Sequence, residues 1–307
     1  MQIGFAGSPP FAATVLHAVM QAGRTPKIVF SQPPRASGRN RSTSLTPVHK
    51  MARQCRLEVA TPHVLKNQEH LFFELDLLIV AAYGLILPRA VLEAPRLGCV
   101  NVHASLLPRW RGAAPIEYAI LHGDQETGVS IMRIEPKLDA GPVFRKASLP
   151  LTGNETTESL TQSLAILGGH TLNLVLEQFE KGELSEPTPQ DTSLVTYAPS
   201  LKAQDARIDW FQDATKIERQ IRAFVGRSAA YTMCDDIRIR ILEASPVEGK
   251  YKPGIAECEN KSVVIGCGTG GLALETVQLN RGRGTPMSIS SALNGYANVF
   301  SDGTSFE

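Results

Sequence analysis

The chain has 307 residues, of which 43% are hydrophobic, and a formal net charge of +1. This length suggests two domains, since single cores seldom grow beyond roughly 250 residues. The longest apolar run, residues 75–87, contains Asp76 and is shorter than the ~18 residues that a spanning helix needs, so we expect no membrane association. The N-terminus lacks the charged start of a secretory signal, which predicts a cytoplasmic protein.

The five cysteines are odd in number, and no two of them form a Cys-x-x-Cys pair. This pattern argues against a disulfide framework and against a cysteine-ligated zinc site. We therefore expect free thiols and no bound metal.

The charge is unevenly distributed, although its sum is close to zero. Residues 1–57 contain no Asp or Glu. Two interpretations are open: an electrostatic surface for a polyanion, with nucleic acid the first candidate, or a solvated surface balanced by acids elsewhere. The basic residues of this region are Arg24, Lys27, Arg35, Arg39, Arg41, Lys50, Arg53 and Arg56.

Strand-like and helical patterns alternate in the first part of the chain, which is typical of βαβ units and a parallel sheet. Residues 77–82 are apolar on both faces, as in a central strand that helices cover on both sides. The predicted strands are 2–6, 27–31, 76–82 and 99–103, and the predicted helices are 11–22, 47–56 and 88–94.

The second part of the chain has a different character. Residues 182–200 are polar and contain three prolines, so we interpret them as a linker region. The following short strands, separated by Gly and Pro, favour a small β-barrel. The predicted segments are an antiparallel pair at 127–134 and 143–146, helices at 155–181 and 214–224, and strands at 237–242, 262–266 and 271–277. The predicted fold is thus α/β: a Rossmann-like, mostly parallel sheet with helices on both faces (1–185), a linker (186–202) and a barrel domain (203–307).

Two glycine- or arginine-containing turns follow predicted strands. Residues 4–9 can hold an anion on backbone N–H groups or can be a simple tight turn, but they lack G-x-G-x-x-G, which disfavours a dinucleotide oxidoreductase. Residues 37–44 are longer than the usual connection of about 2–6 residues. Arg39 and Arg41 in this stretch either contact nucleic-acid phosphates or belong to a solvated insertion.

Polar side chains crowd the end of the strand predicted at 99–103. Asn101 and His103 are two residues apart, so they project from the same face of a strand. Asp139 lies on a Gly- and Pro-bounded turn, where its carboxylate can orient the imidazole. Asn, His and Asp without a Ser or Cys nucleophile indicate direct group transfer.

The loop after the most buried strand, residues 82–88, stands where the carboxyl end of a parallel strand opens into a ligand crevice. Its apolar side chains and exposed backbone suit a flat heterocycle, or they pack in the core at the start of the next helix. Arg109 and Arg111, beyond His103, either approach an acceptor's phosphates or brace their own loop.

These motifs, in this order, resemble the methionyl-tRNA formyltransferase family. The stretch 101–115, the loop 82–88 and the Leu138-Asp139-x-Gly141 turn carry the resemblance in the first domain. Ala206-Arg207-Ile208-Asp209-Trp210 and the Arg281-Gly282-Arg283-Gly284 run carry it in the second. The resemblance implies an OB-like second domain that helps to hold tRNA.

The resemblance implies transfer of a formyl group from 10-formyltetrahydrofolate to the amino group of methionyl initiator tRNA, without a metal. We predict that the protein is a monomer. Asn101, His103 and Asp139 would be catalytic, and Arg35, Arg39 and Arg41 would bind tRNA. The residues expected to line the folate site are Tyr83, Gly84, Leu85, Ile86, Leu87, Pro88, Ser105, Leu106, Leu107 and Pro108.

Several positions depart from the family's pattern. Pro34 stands where Asp is usual, residues 225–229 replace an Asn-Pro-Trp-Pro-Gly run, and Thr285 stands where a basic residue is common. Ala140 replaces a frequent Thr beside Asp139. These changes concern loop anchoring and the tRNA contacts of the second domain, and they leave the three catalytic positions intact.

Three other functions are compatible with parts of the pattern. A formyltransferase acting on a sugar-nucleotide amine and a 10-formyltetrahydrofolate hydrolase would share the Asn-x-His and Asp residues. A non-catalytic nucleic-acid-binding protein on the same fold would not need them. The basic loop and the second domain are the features that favour tRNA as the acceptor.

Overall fold

The structure is a computed structural model that describes residues 1–37, 42–183, 185–226, 228–259, 261–280 and 284–307. The chain forms two compact units. The first comprises Met1–Pro115, Glu126–Pro150 and Thr161–Pro199, and the second comprises Ile116–Gln125, Leu151–Leu160 and Ser200–Glu307.

The strands of the first unit are named in chain order. They are β1 (Ile3–Gly7), β2 (Ile28–Phe30), β3 (Arg35–Ser37), β4 (Ser42–Ser44), β5 (Val59–Ala60), β6 (Leu77–Ala81), β7 (Cys99–His103), β8 (Arg111–Gly112), β9 (Glu126–Arg133), β10 (Val143–Pro150) and β11 (Tyr197–Ala198). The helices in the described part of the chain are α1 (Pro10–Gln21), α2 (Pro47–Gln54), α3 (Arg89–Glu93), α4 (Pro115–His122), α5 (Thr157–Lys181), α6 (Ala214–Phe224) and α7 (Ile289–Gly295).

One sheet organises the first unit, with strand order β10-β9-β7-β6-β1-β2-β5. The strands from β7 to β5 run parallel, while β9 pairs antiparallel with β7 and β10 antiparallel with β9. Since β6 and β7 are parallel neighbours, their carboxyl ends lie at the same edge of the sheet. The loops that follow these two strands therefore meet there.

The core of the first unit lies on both faces of the central strands. All five residues of β6 are buried, as the two-sided apolar pattern predicts. Phe30 stacks on Phe72 with ring centroids 4.4 Å apart, and both rings are almost fully buried. The core at this place depends on aromatic packing between a strand and a short 3₁₀ helix.

Replacing Phe72 with Ala is expected to lower the free energy of unfolding by about 3–5 kcal/mol, because it removes buried surface and leaves a cavity. The neighbouring Phe73 is 63% exposed. Phe73→Ala is therefore a matched control, expected to change stability by less than about 0.5 kcal/mol. Urea denaturation of both variants measures the difference, and equal losses would contradict the packing described.

The second unit contains an antiparallel sheet. Its strands are β12 (Tyr231–Cys234), β13 (Ile237–Val247), β14 (Ala256–Glu259), β15 (Ser262–Gly266), β16 (Gly271–Leu279) and β17 (Met287–Ser288), in the order β12-β13-β16-β15-β14 with β17 beside β16. Trp210 is buried, and its indole N–H donates to Thr232 Oγ1 of β12 at 2.9 Å. The sheet forms a half-barrel, and the predicted fold class is confirmed in both units.

The remaining global predictions concern thiols and membrane spans. The cysteines are free, as expected, and burial raises the pKa of the Cys99 and Cys267 thiols to about 12. In the described residues, no helix has the length and apolar character to cross a membrane.

Candidate active site

Asn101 and His103 lie at the carboxyl end of β7, in the middle of the large sheet. Asn101 pairs with Val80 of β6 and Met132 of β9, and it is half-buried. His103 is 5% exposed. The alternation of a strand places both side chains on one face, as predicted. No described residue forms a hydrogen bond with the Asn101 side-chain amide, so this donor is available to a ligand.

The protonation of the His103 ring follows from its main-chain partner. His103 Nε2 lies 2.9 Å from the carbonyl oxygen of Trp110. A carbonyl only accepts, so Nε2 carries a hydrogen in every charge state. The nitrogen that gains or loses a proton is therefore Nδ1.

Asp139 faces that second nitrogen. Its Oδ2 lies 3.8 Å from His103 Nδ1, which is ion-pair distance and longer than a hydrogen bond. The same oxygen accepts the backbone N–H of Gly112 at 2.9 Å. Asp139 has a φ of 43°, a left-handed conformation that Asp tolerates better than most residues. The structure thus brings Asp139 and His103 together, with Asn101 on the same face of β7.

The loop after β7 is stabilised by buried hydroxyl groups. Ser130 Oγ accepts the N–H of Leu107 at 3.0 Å and donates to the carbonyl of Ser105 at 2.7 Å. Ser105 Oγ in turn donates to the carbonyl of Arg109. Ser105 and Leu107 are buried, whereas Leu106 and Pro108 are only half-buried. Among the residues predicted to line a ligand site here, the side chains of Ser105 and Leu107 shape the loop from inside.

The loop after β6 lies at the same edge of the large sheet as the loop after β7, and one of its apolar side chains is exposed there. Gln32 Nε2 and Ser8 Oγ both donate to the carbonyl of Tyr83, at 3.0 and 3.2 Å. Gly84 has a φ of 80°, and Ile86 is 90% exposed. Leu85 and Leu87 are partly buried and pack against the hydrophobic core of the first unit. The loop is therefore anchored at Tyr83 and open at Ile86.

Tyr83 itself is buried, and burial raises the pKa of its hydroxyl, so it stays protonated. Within the described residues this hydroxyl has no hydrogen-bond partner. The Tyr83 side chain belongs to the core of the first unit. Of residues 82–88, Tyr83 packs in the core and Ile86 is exposed, and contact of this loop with a ligand stays a prediction.

Comparison with known proteins identifies the family. The formyl transferase profile matches residues 1–176, and the profile of the formyl transferase C-terminal domain matches residues 200–297. The chain belongs to the formyl transferase family. The resemblance found in the sequence motifs is thereby confirmed.

Curated formyl transferases match nearly the whole chain. A methionyl-tRNA formyltransferase of Methylococcus capsulatus is 43% identical over 303 residues, covering 97% of this chain and 97% of that protein. One of Methylobacillus flagellatus is 40% identical over 291 residues, covering 92% and 93%. The similarity includes both units, so it is not limited to a shared catalytic domain.

Solved formyl transferase structures share the fold. A methionyl-tRNA formyltransferase from Clostridium thermocellum superposes with a TM-score of 0.56 at 17% identity, covering 92% of this chain and all of that one. The sugar 3N-formyl transferase WlaRD, solved with dTDP and 5-N-formyl-THF, gives 0.69 at 16% identity, covering 92% and 98%. At these identities the likeness describes architecture alone.

The arginines predicted to approach the acceptor or to bind tRNA differ in their surroundings. Arg111 is 2% exposed and donates through Nε and Nη2 to Gln190 Oε1, at 3.0 and 2.8 Å, so it braces its loop. Arg109 is exposed and stacks over the Trp110 ring at 4.2 Å. Arg39 and Arg41 lie outside the described residues, and only the backbone of Arg35, in β3, is described.

Two residues near the site were not found from the sequence. Gln190 Nε2 donates to the carbonyls of Asp139 and Gly141, and Thr196 Oγ1 accepts the N–H of Trp110. Both belong to residues 182–200, the proline-containing stretch that we interpreted as a linker region from its composition. Their contacts with the site could not be predicted from the sequence, because no local pattern indicates a contact between residues that are 50 or more positions apart.

Proposed function

We propose that this chain transfers the formyl group of 10-formyltetrahydrofolate to the amino group of methionine on initiator tRNA, giving N-formylmethionyl-tRNA. The observation that carries the proposal is the match to methionyl-tRNA formyltransferases at about 40% identity along both units. The juxtaposition of Asn101, His103 and Asp139 at one sheet edge supports it, since these groups suit acyl transfer without a covalent intermediate on the protein.

Asn101 is the donor for the formyl oxygen. Negative charge develops on this oxygen when the amine attacks the formyl carbon, and a preorganised amide N–H stabilises that charge. The side-chain amide of Asn101, which has no hydrogen-bond partner among the described residues, meets this requirement. His103 can add a second donor only through Nδ1, because its Nε2–H is bound to Trp110. A donor role for His103 therefore requires the imidazolium form.

Asp139 accepts the proton that the attacking amine loses. Its carboxylate lies beside His103 Nδ1 and stabilises the imidazolium when this forms. The departing folate nitrogen takes up one proton, so the transfer is balanced without a net change in the protein. Hydrogen bonds of this kind are often longer without substrate than in the reacting complex.

The loop after β6 fits a folate. When bound, 10-formyltetrahydrofolate supplies the activated formyl group. Ile86 offers an exposed apolar side chain, and Gly84 is exposed near the carboxyl end of a parallel strand, where ligand crevices open. We therefore assign folate contact to residues 83–88, together with Leu106 and Pro108, with Ser105 and Leu107 supporting the loop.

Gly84→Ala is expected to raise the KM for the folate donor about tenfold, a loss of about 1.4 kcal/mol. A methyl group at this position would meet the side-chain amide of Gln32, which holds the Tyr83 carbonyl. Gly23→Ala is the matched control, because Gly23 has the same φ of 80° and no atom within 4 Å of the added carbon. Steady-state kinetics with varied donor measure the effect, and equal KM changes in the two variants would contradict it.

The function is tested with a labelled formyl donor and four acceptors: methionyl initiator tRNA, methionyl elongator tRNA, a sugar-nucleotide amine and water. We expect formylmethionyl-tRNA with the initiator and little product with the elongator. Transfer to the sugar amine alone, or formate release alone, would reject the proposal in favour of the corresponding alternative. Binding of tRNA without transfer would favour the non-catalytic interpretation.

We further assign initiator tRNA contact to the basic N-terminal region, including Arg35, Arg39 and Arg41, and to the second domain, with boundaries at 1–185, 186–202 and 203–307. The absence of acidic residues before Glu58 supports this assignment. Unaltered activity on tRNA after joint Arg39→Glu and Arg41→Glu substitution would reject it. That the enzyme is monomeric and cytoplasmic stays a prediction. Analytical sedimentation tests the oligomeric state.

A further inference from the structure

Gln190 joins a buried arginine to the turn that carries Asp139. Its Oε1 accepts two bonds from the Arg111 guanidinium, and its Nε2 donates to the carbonyls of Asp139 at 2.8 Å and Gly141 at 2.7 Å. Both N–H groups of the amide and its oxygen are thus engaged. A glutamine with this set of contacts has a single orientation.

Arg111 determines that orientation. A guanidinium has only donors, so the group facing it must be the amide oxygen, and the amide nitrogen must then face the turn. Arg111 is 2% exposed, and its N–H donates to the carbonyl of Thr196. In the described part of the chain no carboxylate forms an ion pair with it. The buried cation therefore depends on the Gln190 oxygen as its side-chain acceptor.

Both residues of β8 are connected to Asp139 by hydrogen bonds. Arg111 acts on the main chain of the turn through Gln190, and Gly112, the next residue, donates its N–H to the Asp139 carboxylate. β8 is itself paired in parallel with β11. The left-handed conformation of Asp139 and the position of its Oδ2 are both set by this arrangement.

We propose that Gln190 is a positioning residue that holds Asp139 in reach of His103 Nδ1, with Arg111 fixing the direction of its amide. This inference rests on the proposed function for its catalytic effect. Loss of the two N–H donors lets the turn relax, and a displacement of about 1 Å at a reacting group lowers rates by up to about 100-fold. Gln190 does not contact the reacting atoms, so the KM values for donor and tRNA should not change.

Gln190→Glu is the decisive variant. It keeps an oxygen for Arg111, adds a negative charge, and replaces the donors to the turn with a second carboxylate oxygen that faces the carbonyls of Asp139 and Gly141. Gln190→Met, of similar length and uncharged, loses both contacts. We expect kcat to fall roughly 10- to 100-fold in both variants with KM unchanged. Gln204→Glu, at an exposed position of the second unit, is the matched control and should keep wild-type kcat.

A double-variant cycle separates positioning from general stability. In an Asp139→Asn background, Gln190→Glu should lower the residual kcat by less than about twofold, because the group that it positions is already inactive. Full additivity, or an unchanged kcat in Gln190→Glu with an active wild type, would overturn the inference and leave the proposed function intact.

A measurement that needs no turnover distinguishes failure of the positioning role from failure of the proposed function. The ¹⁵N resonances of the His103 ring report its environment, and Asp139 faces Nδ1. They should move in Gln190→Glu and stay in place in Gln204→Glu. Unmoved resonances in Gln190→Glu would reject the positioning role, whatever the transfer assay shows.

Discussion

Asp139→Asn is expected to lower kcat/KM for formyl transfer by about 10³-fold, within the range of about 10²–10⁴ that general acid–base groups contribute. The amide keeps an oxygen for the Gly112 N–H and keeps the left-handed backbone, which Asn also tolerates. It removes the negative charge that faces His103 Nδ1 and the acceptor for the amine proton. The fold and substrate binding should therefore survive while the chemical step slows.

Single-turnover kinetics with saturating donor and methionyl-tRNA measure that step directly. Asp213→Asn is a suitable control, since Asp213 precedes α6, makes no side-chain hydrogen bond to the first turn of that helix, and has a half-exposed side chain whose surface ion pair with Lys216 spans 3.8 Å. A variant at Asp139 that retains more than a tenth of the wild-type rate would remove this residue from the proposed mechanism.

Asn101→Ala is expected to lower kcat by about 10²–10³-fold, as the loss of one donor to a developing oxyanion does. The Asn101 amide has no hydrogen-bond partner in the described residues, so its removal leaves no protein group unsatisfied. Stability should change little for the same reason. The loss should appear in kcat, because the donor acts more strongly on the transition state than on the bound substrate.

The control for this position is Asn154→Ala, an exposed residue in the loop before α5. Thermal unfolding and folate binding should be similar for both variants, and only Asn101→Ala should lose transfer. If kcat were unchanged and only the donor KM rose, Asn101 would be a binding residue and the oxyanion assignment would be wrong.

Local patterns predict most of the first sheet. β6 is apolar on both faces and ten or fewer residues long, which distinguishes a central parallel strand from a helix. β7 was predicted at the same residues, because Asn101 and His103 alternate with two buried valines, which is the two-residue period of a strand. The short pieces β5, β8 and β11 were missed, since two residues carry no period and their pairing depends on distant partners.

The positions proposed to be catalytic could also be predicted from the sequence, whereas the residues that support them could not. The spacing of Asn101 and His103 follows from the period of a strand, and the structure places them as predicted. The roles of Arg111 and Gln190 depend on contacts across 79 residues. No composition or spacing rule distinguishes a glutamine in a polar stretch from one that binds a buried guanidinium.

The hydrogen bond between His103 Nε2 and the Trp110 carbonyl has a meaning for mutagenesis. The acceptor is a main-chain atom, so every substitution at position 110 preserves it in kind. Scanning that position with Ala would remove the indole and its stacking on Arg109 while leaving the imidazole's partner in place. The change in activity of such a variant would report the loss of the indole ring alone. No side-chain substitution at position 110 would test how the Trp110 carbonyl fixes the proton on His103 Nε2. Only a change in the path of the loop, or an ester in place of the peptide bond that follows Trp110, reaches it.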